Sequence, residues 1–138
     1  MASDNLVALD IGERRIGVAV ADSAVKIAVP YDTIDVDGTE VNQIVGILQK
    51  ESAIKLIIGY PRNQSGEPTA QTQFVVDFVA SLPVSLAGMV AYQDESLTSV
   101  HAEQQLKANG RPYAKGDIDK VAASIILQDY LEEQYGRL

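Results

Sequence analysis

Leu6-Val7-Ala8-Leu9 is an unbroken apolar run that stops on an acid, Asp10. A strand with one face in water alternates apolar and polar residues, so a run without alternation is covered on both faces. The sequence therefore predicts a central strand with structure packed above and below its sheet, and a carboxylate held where the strand ends. Gly12-Glu13-Arg14-Arg15 reads as a turn, and Ile16-Gly17-Val18-Ala19-Val20 returns as a second strand to make a hairpin. Residues 27–29 and 31–34 suggest a third, with Pro30 marking an edge or a break.

Beyond the third strand the apolar period changes from two to that of a helix. Asp37 and Glu40 have the spacing of a capping box ahead of Val41, Ile44, Val45 and Leu48. Residues 54–58 form a short buried strand closed by Gly59-Tyr60-Pro61, followed by a polar loop over 62–68. Phe74, Val75, Phe78, Val79 and Leu82 make the next helical stripe. Residues 84–92 read as the last strand, with Gln93-Asp94-Glu95-Ser96 at its end. Thr98 caps a helix that runs to Asn109-Gly110, and residues 118–135 form the last helix, with Ile118, Val121, Ala122 and Ile125 on its buried face. The order predicts an α/β fold: a mixed five-stranded sheet, built from a three-strand antiparallel meander and two parallel strands, with helices on both faces. At 138 residues and 46% hydrophobic, the chain suits one globular domain over 1–138.

Composition excludes some chemistry. The chain has no cysteine, so disulfides and thiolate metal sites are impossible, and a reducing cytoplasm is the expected location. The N-terminus lacks the basic and apolar regions of a signal peptide, and no apolar run is long enough to span a bilayer. Eleven Lys and Arg against 19 Asp and Glu leave a net charge of −8. Any contact with nucleic acid must then be local, metal-assisted or helped by a partner. The same charge also serves simply to keep a small protein soluble.

Three places hold acids at element ends. Asp10 ends a buried strand, where an unpaired charge is costly and a cation would remove the cost; an aspartate there can equally bond the Ile11-Gly12 backbone in a turn. Asp94 and Glu95 are adjacent at a strand end, so their side chains point to opposite faces and one of them faces the site. Asp117 and Asp119 open the last helix, where acids commonly cap or complement the helix dipole. Ligand sites in such sheets lie beyond the carboxyl ends of the parallel strands, and the topology brings Asp10, Glu95 and Asp119 toward one edge. Oxygen donors from carboxylates suit Mg²⁺ or Mn²⁺, and such ions can activate water and stabilise the leaving oxygen of a phosphodiester. His101, the only histidine, lies within a helix and reads as structural or solvated. Of the basic residues, Arg15 can hold a phosphate bidentately, while Arg14 faces water. Lys115 and Lys120 flank the start of the last helix, as substrate contacts or as solvated charges. The loop Asn63-Gln64-Ser65-Gly66-Glu67 precedes a helix, whose backbone N–H groups either meet an anion or are capped by Ser65 or Thr69.

With these residues in place the chain resembles the YqgF/RuvX family, relatives of the RuvC Holliday-junction resolvases. The resemblance rests on Leu9-Asp10-Ile11-Gly12 with Arg15-Ile16-Gly17-Val18-Ala19, on Ile58-Gly59-Tyr60-Pro61-Arg62-Asn63, on Asp94-Glu95-Ser96-Leu97-Thr98, and on Ile118-Asp119-Lys120-Val121-Ala122-Ala123. It implies an RNase H-like fold and a metal-dependent endonuclease of the ribosome-biogenesis class, maturing the 5′ end of the small-subunit ribosomal RNA, with Asp10, Glu95 and Asp119 as catalytic metal ligands. It implies nucleic acid as partner, with Arg15, Lys115, Lys120 and Asn63 as substrate contacts. The chain departs from the family where Ser96 replaces an arginine, where His101 replaces a frequent glutamate, and in the lysine-poor loop before the last helix. These departures remove positive charge or alter a cap, which bears on substrate affinity more than on fold. Four-way junction DNA is the alternative substrate; cutting two strands symmetrically would call for a homodimer. A non-catalytic ribosome-assembly or nucleic-acid-binding module is the alternative outside the enzymes. An actin-like or sugar-kinase-type ATP site is disfavoured, because the chain is too short for the second lobe it needs.

Overall fold

The structure, a computed structural model, describes residues 4–63, 65–95, 98–110 and 114–136, with the side chains of 98–101 left out. The expectations for Ser96, for the Thr98 cap, for His101 and for residues 111–113 lie outside the described residues. Five strands are present: β1 (Asn5–Ile11), β2 (Arg15–Asp22), β3 (Val29–Asp35), β4 (Ala53–Pro61) and β5 (Val90–Glu95). The helices are α1 (Glu40–Lys50), α2 (Ala70–Ala80), α3 (Thr98–Ala108) and α4 (Lys115–Tyr135). Sheet order is β3-β2-β1-β4-β5, antiparallel across β1–β2 and β2–β3 and parallel across β1–β4 and β4–β5. The predicted meander and parallel pair are both there, with β1 in the centre as its apolar run requires.

The alternation of β1 divides the core in two. Val7, Leu9 and Ile11 face Ile44 and Leu48 of α1 and Val75 of α2. Leu6 and Ala8 face the other way, with Ala19 and Ile57, against Ala123, Ile126, Leu127 and Leu131 of α4. The α4 side is lined with small residues, which lets the helix lie close on the sheet. Gly17 carries this furthest: a Cβ there would stand 1.9 Å from the Asp119 carbonyl oxygen and 2.9 Å from the Lys120 nitrogen. No side chain fits between backbone and backbone at that spacing. The first turns of α4 are fastened to the opposite edge as well, where Thr33 Oγ1 of β3 donates to the Gly116 carbonyl at 2.5 Å. On its outer side α4 carries α3, through Ala102 against Val121 and Ala122.

Several boundaries differ from the sequence expectation. Residues 84–89 form a 3₁₀ segment, and β5 begins only at Val90. Pro83 sets its entry, the Leu86 N–H closes onto the Pro83 carbonyl at 2.9 Å, and Leu86 and Met89, three apart, both turn to the core. β4 runs on through Gly59 and Tyr60 to Pro61 instead of closing at Ile58, because β5 pairs with it along that length. α4 starts at Lys115, three residues early, with Asp117 inside the first turn accepting the Ala114 N–H at 2.9 Å. Asp37 accepts from Thr39 N–H at 2.9 Å and Glu40 from Gly38 N–H at 2.7 Å, so this pair braces the turn before α1, whose N-cap is Thr39. Among the described residues no helix is long and apolar enough to cross a membrane.

Candidate active site

The centre of the site is a row across three strands. Asp10 pairs in register with Gly17 of β2, and Gly59 of β4 follows Ile58, the neighbour of Leu9. All three positions face α4. Asp10 is therefore flanked on both sides by residues without side chains. The space above Gly59 is taken by Glu95, the last residue of β5: a Cβ on Gly59 would lie 2.6 Å from Glu95 Oε2 and 2.7 Å from Ile126 Cδ1. Gly59 is the gap through which Glu95 reaches Asp10, and the two carboxyls hydrogen-bond.

This pairing has an electrostatic signature. Burial pushes the Asp10 carboxyl well above its ordinary value, and the Glu95 charge, their hydrogen bond and the Asp119 charge raise it further. Burial also raises Glu95, partly offset by the hydrogen bond from Asp10. Both carboxyls therefore resist ionising together, and a retained proton belongs to the pair. The charge of Asp119 is felt at Asp10, but its own carboxylate is turned to Arg15, whose Nε donates to Oδ2 at 2.6 Å. Among the described residues no three His, Asp or Glu side chains converge as ligands of a single ion. Asp10 and Glu95 are in contact; Asp119 is within their electrostatic range and held by a different partner.

The remaining expected site residues are spread around this edge. Lys115 is exposed at the start of α4, and Lys120 pairs with Asp117 at 3.4 Å. Asn63 organises the loop after β4: its side-chain oxygen accepts from Ser65 N–H at 3.0 Å and Glu67 N–H at 2.9 Å. Thr69, one of the two expected caps, closes α2 through a reciprocal pair with Thr72. Sequence reasoning missed the parts played by Gly17 and Gly59, although a glycine inside a strand pattern is a recognised sign of close approach. It also missed the Arg15–Asp119 ion pair, which joins residues 104 apart in sequence and leaves no local signal.

Two half-buried carboxyls in contact, with a third acid close by, offer an all-oxygen donor set. That chemistry fits a hard divalent cation, which would remove the cost of ionising the pair. The apolar clefts lie elsewhere; one of about 510 Å³ beside Leu48, Leu86 and Met89 is on the far face of the sheet.

A family model described as RuvX: Holliday junction resolvase matches residues 4–133. A protein of Chloroflexus aurantiacus named "Putative pre-16S rRNA nuclease" is 44% identical over 131 residues, covering 92% of this chain and 86% of the relative. A protein of the same name from Chloroflexus aggregans is 41% identical over 136 residues, covering 96% of each. Among solved structures, T. thermophilus RuvC in complex with Holliday junction substrate superposes with a TM-score of 0.56 at 13% identity, covering 96% of both chains. At that identity the likeness speaks for the fold, which is RNase H-like.

Proposed function

The chain belongs to the RuvX family, and from that premise we propose that it is a metal-dependent endonuclease that hydrolyses phosphodiester bonds in the 5′-end maturation of pre-16S ribosomal RNA. The observation that carries this reading is the half-buried Asp10–Glu95 carboxyl pair at the carboxyl ends of β1 and β5, within electrostatic range of Asp119. Asp10, Glu95 and Asp119 would hold Mg²⁺ or Mn²⁺. When bound, the cation supplies a nucleophile at neutral pH and charge stabilisation for the leaving oxygen.

The chain's own residues set the terms of that binding. Asp10 must give up the proton it shares with Glu95, so loading is coupled to proton release. Asp119 must divide its oxygens between Arg15 and the site. Arg15 engages Asp119 through Nε, and its terminal nitrogens remain as donors for a phosphate oxygen. Lys115 and Lys120 add point charges at the start of α4, and the side-chain nitrogen of Asn63 is available at the loop after β4.

The test is cleavage of precursor ribosomal RNA with Mg²⁺ or Mn²⁺ by the wild-type chain and by Asp10→Asn. Cleavage should fall by at least about a thousandfold while circular dichroism stays native. Undiminished cleavage by the variant would refute the assignment. The family description favours one second reading, resolution of four-way DNA junctions, which would need two active sites and hence a homodimer. Parallel incubation with junction DNA separates the two substrates.

A further inference from the structure

We infer that Tyr60, Arg62 and Tyr92 form a stacking platform for an unpaired nucleobase at the open edge of β5, a subsite that selects single-stranded over duplex nucleic acid. This rests on the nuclease reading and deepens it. Tyr60 and Tyr92 meet edge to face, with ring centroids 5.3 Å apart and planes at 77°. The Arg62 guanidinium lies over the Tyr60 ring, 5.0 Å from its centroid, and is held there by Asp94 at 3.2 Å. The three side chains border a cleft of about 420 Å³ together with Gln93, Asp94 and Glu133 of α4. β5 is the last strand in the sheet order, so the cleft wraps an edge that no further described strand covers.

Aromatic pairs that serve packing alone bury their rings. Tyr92 instead keeps 43% of its surface exposed. Its position is also specific: Tyr60 is in register with Asp94 and Pro61 with Glu95, so the platform and the carboxyl pair share one end of β4 and β5, on opposite faces of the sheet. Tyr92 precedes Glu95 by three residues, about 10 Å along the strand, and a single strand would pass from one face to the other around the open edge of β5. Charge gives the physical reason. A chain of net charge −8 gains little from phosphate attraction. Stacking on a tyrosine ring or a guanidinium plane needs no net charge and accepts every base. A paired base has both faces already stacked and cannot use the platform.

The experiment is binding of a short labelled single-stranded RNA and of its duplex in EDTA, for the wild-type chain, Tyr92→Ala, Tyr92→Leu and Tyr92→Phe. With no tryptophan and six tyrosines in the chain, tyrosine emission is the intrinsic signal, and the part of its quenching lost in Tyr92→Phe is the part due to that ring. Tyr92→Ala and Tyr92→Leu should each weaken single-strand binding about tenfold and reduce the quenching. The salt slope and duplex affinity should stay unchanged, and Tyr92→Phe should bind like wild type. Tyr92→Leu keeps apolar bulk on the strand and covers the case in which the alanine variant unfolds. Losses of less than about twofold, or equal losses for single strand and duplex, overturn the platform. If the wild type still cleaves precursor RNA in a parallel Mg²⁺ assay, the nuclease reading survives that result. A wild type that binds neither nucleic acid in EDTA overturns the platform, and one that also fails to cleave precursor RNA in Mg²⁺ overturns both.

Discussion

At the scale of single residues the site is a problem of unfavourable charge. Asp10 has its carboxyl raised chiefly by burial and then by Glu95 and Asp119. At low pH both folded and unfolded chains carry this proton, and the group contributes nothing. As pH rises past the ordinary aspartate value of about 3.9, the unfolded chain ionises first, and folding loses stability until the folded group ionises too. A cost is therefore present at neutral pH, and it grows with pH until the folded group has ionised. Asp10→Asn should therefore melt a few degrees above wild type in EDTA at pH 7, with the gap closing as the pH is lowered toward 4. Thermal melts across that range check it, and a gap that persists in acid contradicts the cause given. The Arg15–Asp119 pair differs, because both partners keep some contact with water, at 33% and 22% side-chain exposure. A double-mutant cycle of Arg15→Ala and Asp119→Ala should give a coupling of about 1 kcal/mol that shrinks with added salt. Asp10 was legible as a candidate because a buried run ends on it. The turn of Asp119 toward Arg15 was not, since neither position carries a local mark of the other.

At the scale of elements, two glycines position the acids in different ways. At Gly17 an added methyl meets the backbone of α4, which can move only as a helix. At Gly59 it meets the ends of two side chains, Glu95 and Ile126, which can turn aside. Gly17→Ala should cost about 2–3 kcal/mol of stability. Gly59→Ala should cost less than about 1 kcal/mol yet weaken Mn²⁺ binding, because Glu95 loses its path to Asp10. Denaturant melts and calorimetric titration separate the two, and a reversed order would contradict the geometry. The strands most sharply marked in the sequence were those with the longest buried runs, β1, β2 and the Leu56–Ile58 stretch of β4; β3, in which only Ile34 is buried, was legible from the segments either side of Pro30. The start of β5 was not, because residues 84–89 are apolar enough for a strand while Leu86 and Met89 follow a period of three. The start of α4 was hidden for another reason. Its first turn, Lys115-Gly116-Asp117, holds no apolar residue, and its placement depends on Thr33 of a distant strand.

At the scale of the whole molecule, the fold class and the split of the sheet into a meander and a parallel pair followed from the alternation of apolar runs with helical stripes, since right-handed crossovers leave few ways to arrange five strands. Substrate affinity is less legible, because it depends on where a few cations sit on a chain of net charge −8. Near the site these are Arg15, Lys115 and Lys120. If they make the phosphate contacts, log affinity against log salt should fall with a slope no steeper than about −3. A markedly steeper slope in filter-binding or anisotropy titrations would mean that another surface, or a second copy, takes part.

The close seat of α4 on Gly17 has a mechanical meaning. A helix of 21 residues pressed backbone to backbone at one point would rock, if it moved as a rigid rod, about that point. The fulcrum coincides with Asp119, while Leu131 lies about 18 Å along the shaft. Rocking that swings the far end by ångströms barely shifts the acid. Truncating side chains near Leu131 should thus loosen the protein well before it misaligns the carboxylates.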